Sequence, residues 1–150
     1  MDRFDLLLLE LSELGIHCEV RTTPDGDKAA DAFVSAMRTR FQFIARLEED
    51  DNLLCVHCLS SCRVPAGALV EAVQLANRIN PCLNIGSLIL DRDSDLVFKA
   101  ASYVTDETLG FAIKQMAMWS ACVLDTFEPA FQSQIYGNAT IEEAFHSAMR

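Results

Sequence analysis

The period of apolar positions changes several times along the chain, and each change predicts an element. Residues 82–103 change most clearly. Two apolar runs flank the acidic stretch Asp91-Arg92-Asp93-Ser94-Asp95, which predicts a hairpin with strands near 85–90 and 96–103. Before it, Leu69, Ala72, Val73, Ala76 and Ile79 recur at helical spacing after Pro65, and Asn80-Pro81 ends that helix. After it, Thr105 is the expected cap of a long helix whose first turn is acidic at Asp106 and Glu107. Leu109, Ile113, Met116, Ser120, Val123 and Phe127 line one face of this helix, and Pro129 is expected to kink or break it. Thr140-Ile141-Glu142-Glu143 has the pattern of a capping box and opens a short last helix.

The N-terminal half opens with a helix over 2–14, capped by Asp2, stopped by Gly15 and apolar on more than one face. Residues 16–22 form a short strand and Thr23-Pro24-Asp25-Gly26-Asp27 a turn. Residues 28–37 are ambiguous: Ala and Met favour helix, Phe33-Val34 favour strand. In 38–47, Phe41, Phe43, Ala45 and Leu47 alternate with Arg40, Gln42, Ile44 and Arg46, the mark of a strand with one mostly polar face. Residues 53–60 are apolar on both faces, so that strand is central or covered on both sides. The expected fold is a single α+β domain over residues 1–150. Its mainly antiparallel sheet has about five strands with helices largely on one face, in the order α-β-β-β-α-β-β-α-α.

Charge narrows the partners. The chain carries 22 Asp and Glu against 12 Lys and Arg, a net charge of −10. Such a chain repels phosphate backbones, and its densest basic stretch is only Arg38, Arg40 and Arg46, so nucleic acid is not expected as a partner. No stretch approaches the roughly 20 apolar residues of a membrane span, and Met1-Asp2-Arg3-Phe4 lacks a basic leader. The expectation is a cytoplasmic protein whose 6 cysteines are thiols.

The chemistry-bearing residues are few. Cys55, His57, Cys58 and Cys62 fall within eight residues, a composition that suits a metal or redox sensor. On a strand, however, Cys55 and Cys58 point to opposite faces about 10 Å apart, and Val56-His57 has no turn chemistry. Buried thiols are therefore expected, with no metal and no cofactor; the alternative is a metal- or redox-sensing protein that uses the cluster of Cys55, His57, Cys58 and Cys62, with Arg63 beside Cys62 favouring a reactive thiol. Asp91-x-Asp93-x-Asp95 begins like a calcium loop, but Leu96 and Ser102 stand where Gly and Glu are required, which leaves a solvated turn. His17 and His146 have no evident partner, Gly86 and Gly110 are isolated, and no acid–base pair is apparent, so no catalytic residue is assigned and no enzyme is expected.

The remaining feature is apolar breadth in the first and third helices, which points to self-association. With the order of elements in place, the chain resembles the YbjN-domain family, whose fold is that of type III secretion chaperones. Four stretches carry the resemblance: the helix Ala68 to Asn80 with Asn77 and Asn80 at its end; Ile85-Gly86-Ser87-Leu88-Ile89-Leu90-Asp91 followed by Asp93, Asp95, Leu96 and Val97; Thr105 to Leu109; and Glu128-Pro129-Ala130 with Tyr136-Gly137 through Glu143-Ala144. The chain departs from the family pattern at Ser94-Asp95, where Gly is usual. The resemblance implies a bacterial, non-enzymatic, sensory or regulatory factor. It also implies a chaperone-like homodimer that binds segments of an unidentified protein partner. The residues expected to bind protein are Ile44 on the less-covered sheet face and Leu7 and Leu8 on the first helix.

Overall fold

The computed structural model describes residues 1–150. The elements follow in chain order as α1 (Arg3–Glu13), β1 (Cys18–Thr22), β2 (Lys28–Ser35), β3 (Arg40–Glu48), β4 (Leu53–Arg63), α2 (Leu69–Ile79), β5 (Ser87–Leu90), β6 (Asp95–Tyr103), α3 (Leu109–Gly137) and α4 (Ile141–Ala148). All strand pairs are antiparallel, in the order β1-β2-β3-β4-β6-β5. The α+β class, the helix order and the hairpin at 87–103 match the sequence expectation. The sheet has one strand more, because the ambiguous 28–37 stretch becomes β2. Its alanines favour helix in isolation. Pairing on both sides overrides that preference: Ala32 faces Cys18 on one neighbour and Phe43 on the other.

One core joins the helices to one face of the sheet. Ala30, Phe43, Val56, Cys58 and Phe98 from the strands pack with Leu7 and Leu11 of α1, Leu75 of α2, Ile113 and Phe131 of α3 and Phe145 of α4. The alternate strand residues point to the other face, which no helix covers. Ala29, Cys55 and Val97 lie there, shielded by neighbouring side chains yet outside the main core.

Local chemistry sets the element ends. The Asp2 carboxylate accepts from the Asp5 N–H at 2.8 Å, capping α1; that bond holds its pKa below the usual value. The expected Thr105 cap moves by one turn. Thr108 precedes α3, and the Thr105 and Thr108 hydroxyls bond back to each other's N–H groups at 3.3 and 2.8 Å. In the β5–β6 turn the Asp91 carboxylate accepts from the N–H groups of Asp93 and Asp95, both at 2.9 Å, which lets Ser94 hold a left-handed φ of 63° in the turn. Gly86 is required before β5. Its φ is +72°, and a side chain there would meet the Phe98 ring at 2.5 Å and the Lys99 carbonyl at 2.6 Å.

Pro129 neither breaks nor ends α3, which runs unbroken from Leu109 to Gly137. The adjacent Glu128 is buried and turned into the sheet, where its carboxylate accepts from the hydroxyl of Ser60, the N–H of Ser61 at 3.3 Å and the hydroxyl of Ser61 at 3.4 Å. These residues lie in the irregular stretch of β4 between Leu59 and Arg63, where the register with β6 shifts. The opposite rim of the sheet is closed by a side chain. The Asn80 amide donates to the Leu88 carbonyl at 3.0 Å and accepts from the Leu88 N–H at 2.7 Å, occupying the middle of the free edge of β5.

Candidate functional site

Two surfaces stand out. The first is the open face of the sheet. Strand register sets Glu19, Asp31, Ile44, His57, Lys99 and Ser87 in one row across all six strands. The row beside it holds Gln42, Leu59, Val97 and Ile89, and the row on the other side holds Ala29, Arg46, Cys55 and Ala101. The centre is thus an apolar floor of Ile44, Leu59 and Val97 with Arg46, His57 and Lys99 around it. Arg46 bonds Glu48 through one terminal nitrogen at 2.8 Å, while its buried Nε has no acceptor. Burial, then the positive charges of Arg46 and Lys99, lower the pKa of His57.

The second surface is the outer side of α3. Phe111, Gln115, Met118 and Cys122 follow one another at spacings of four, three and four, which puts them on one stripe. Phe111 is 67% exposed and Met118 65%. Trp119 donates its indole N–H to the Ile85 carbonyl at 3.1 Å and so pins the segment before β5 beside this stripe. The resulting groove holds about 450 Å³, with Lys114 at its edge. It continues on one side toward Leu14 and Ile16 and on the other toward Tyr103.

The cysteine cluster does not converge. β4 runs as one strand from Leu53 to Arg63, with Cys58 and Cys62 in the helix-side core and Cys55 on the open face. Cys58 and Cys62 are four residues apart on a strand, roughly 13 Å, well beyond the ~4.6 Å between two sulfurs that share a zinc ion. Burial pushes the Cys58 thiol up to about 12 and, with the Glu128 charge adding, the Cys62 thiol up to about 11. Burial and the nearby Glu48, whose carboxylate accepts from the Cys55 thiol at 3.5 Å, raise Cys55 as well. The side chains of Asp91, Asp93 and Asp95 do come together, but the Asp91 carboxylate is occupied by the turn.

Of the residues expected to bind protein, Leu7 is fully buried with Phe4 and Leu11 at helical spacing. It is a core residue of α1, and its place at the surface is corrected. Leu8 is half-buried against the same core. Ile44 is half-buried at the centre of the open sheet face. Sequence reasoning missed Phe111 and took Met118 only as widening the apolar surface of the third helix; both are exposed. Their four-and-three spacing was visible, but in a helix apolar on several sides nothing marks which stripe faces out.

No helix of the chain is long and apolar enough to cross a membrane. No curated protein matches this sequence. Residues 4–133 match the YbjN family model, described as "putative bacterial sensory transduction regulator". The match runs from α1 through the whole sheet and most of α3, and so takes in both surfaces: the chain belongs to the YbjN family.

Proposed function

We propose that this chain is a non-enzymatic regulatory module of the cytoplasm that works by binding protein, chaperone-like, as a homodimer. The observation that carries the reading is the exposed stripe Phe111–Gln115–Met118–Cys122 on α3. A large side chain presents about 200 Å² when fully exposed. At their observed exposures, Phe111, Met118, Ile85 and Leu14 together leave about 400 Å² of side-chain surface in water. That is half of the ~800 Å² each partner contributes to a standard interface.

A second copy fits this stripe. Two α3 helices crossing antiparallel at Met118 would set Lys114 of one copy opposite Cys122 of the other, whereas a parallel crossing would set Lys114 against Lys114. The contact is isologous and closes at two copies. It leaves the open face of each sheet free for another protein.

Native mass spectrometry of the untagged protein, paired with light scattering, tests this. The expected result is a species of twice the 16.6 kDa chain that becomes monomeric, still folded, in Phe111→Asp and Met118→Asp. A monomeric wild-type protein at micromolar concentration, or variants that stay dimeric, would overturn the α3 dimer.

A further inference from the structure

The open sheet face inverts the charge of the molecule. By strand register it carries Arg21, Arg40, Arg46, Arg63 and Lys99 against Glu19, Asp31, Glu48 and Asp95, a balance of +1. The rest of the chain holds the other seven Lys and Arg and the other eighteen Asp and Glu, a balance of −11. Three of these cations have acidic partners on the same face: Arg21 with Asp31, Arg46 with Glu48 and Arg63 with Asp95. Lys99 is in no ion pair, and Arg40 lies over the Phe33 ring at 4.8 Å. Lys99 is thus the cation of this face with neither an acidic nor an aromatic partner; it neighbours His57 across the strand, with the Glu48-paired Arg46 on the diagonal. The buried, acceptor-less Nε of Arg46 belongs to this same group.

We propose that this face docks a short acidic, extended segment of a different protein, with carboxylates on Arg46 and Lys99 and an apolar side chain on the half-buried Ile44 and Leu59 of the floor. The inference rests on the protein-binding reading above and names the class of partner. The spacing suits an extended chain. Arg46 and Lys99 are two strands and one row apart, roughly 12 Å between Cα atoms, and same-face residues of a strand recur at about 7 and 14 Å. The charge distribution selects a short segment over a polyanion. A nucleic acid or an anionic membrane extends past the patch into the field of the remaining −11, whereas a peptide ends within it.

The probe is the acetylated peptide Thr-Glu-Thr-Leu-Thr-Glu-Thr, followed by fluorescence anisotropy at low salt and by backbone NMR shifts. A matched peptide with Lys in place of Glu is the control. The expected result is binding of the Glu peptide that weakens with added salt, with shifts centred on Ile44, His57 and Val97. Affinity should fall about tenfold or more in the double variant Arg46→Gln, Lys99→Gln. Lys99→Gln alone, at an unpaired position, should show part of that loss without any risk to the fold. Met118→Asp should bind the peptide as the wild type does. Four outcomes would overturn the proposal: no binding at millimolar peptide, equal binding of the Lys peptide, insensitivity to both variants, or equally tight binding of a DNA oligonucleotide or anionic vesicle. Because Met118→Asp separates the two surfaces, a failed peptide titration with an intact dimer would leave the α3 reading standing.

Discussion

The guanidinium of Arg38 donates to the main-chain carbonyl of Asp125, the helical carbonyl that Pro129 leaves without its usual N–H donor. The Arg38 N–H also reaches the Asp125 carboxylate at 3.3 Å, and the guanidinium Nε lies 3.5 Å from it. A side chain from the loop between β2 and β3 thus replaces the missing bond, and α3 continues through the proline.

Arg38→Ala should therefore destabilise the fold by about 1–2 kcal/mol, the cost of leaving that carbonyl unmatched. In a Pro129→Ala background the restored helical N–H supplies the donor, and the same substitution should cost clearly less. Urea denaturation of the four proteins of this cycle measures the coupling. Equal losses in both backgrounds would show that the Arg38 contact has no part in bridging the proline.

Glu128 makes a second, independent prediction. Its buried carboxylate satisfies two hydroxyls and one N–H in the irregular stretch of β4. Glu128→Ala leaves the buried Ser60 hydroxyl without its acceptor and should cost about 1–3 kcal/mol, with Glu128→Gln costing less because its amide oxygen still accepts. A loss of a few tenths in the alanine variant would mean that water serves these donors as well.

His57 ties stability to mild acid. Its folded-state pKa lies below the ordinary value of 6.5, because burial and the charges of Arg46 and Lys99 oppose protonation. The unfolded chain then binds the proton more readily. The contribution of the neutral imidazole is complete above pH 6.5 and is lost progressively below it, as pH falls through the lower folded-state pKa. The melting temperature should drop as pH falls below about 6.5, and should drop less in His57→Gln. Parallel drops in the two proteins would remove His57 from the account.

The thiols should divide into classes. Cys82 and Cys122 are exposed, Cys55, Cys58 and Cys62 are buried, and Cys18 lies between, its pKa raised by burial and by Asp31. A thiol reagent at mildly alkaline pH should label Cys82 and Cys122 rapidly in dilute protein and the rest only on unfolding. If α3 pairs with its copy, Cys122 alone should slow as protein concentration rises. Concentration-independent labelling of Cys122 would contradict that pairing.

The sequence carried much of the fold and little of the surface chemistry, for identifiable reasons. The hairpin at 87–103, the Asp2 and Thr140 caps and the alternation of β3 rest on neighbours in sequence, where short-range rules hold. β2 escaped because Ala29, Ala30 and Ala32 have no strand preference of their own; its two flanking strands impose the conformation. The effect of Pro129 was hidden because the compensating Arg38 lies 91 positions upstream. Leu7 is buried and Leu9 is exposed, a distinction that the spacing Phe4, Leu7, Leu11 contained but that the leucine-rich run obscured. The charge of the open sheet face is only partly legible in one linear stretch, since Arg40 and Arg46 lie together on β3 while Lys99 lies on β6. The full grouping appears only when β3, β4 and β6 bring Arg46 and Lys99 to either side of His57.

The Asn80 amide gives the sheet a direction. With the rim at Leu88 already matched by a side chain, β1 is the one margin where a further strand can be added along its length. A sheet that accepts strands at one end and refuses them at the other cannot repeat head to tail, so copies of this chain have no route to an endless ribbon through their backbones. Crowded together, they are protected from fibre growth by a single carboxamide.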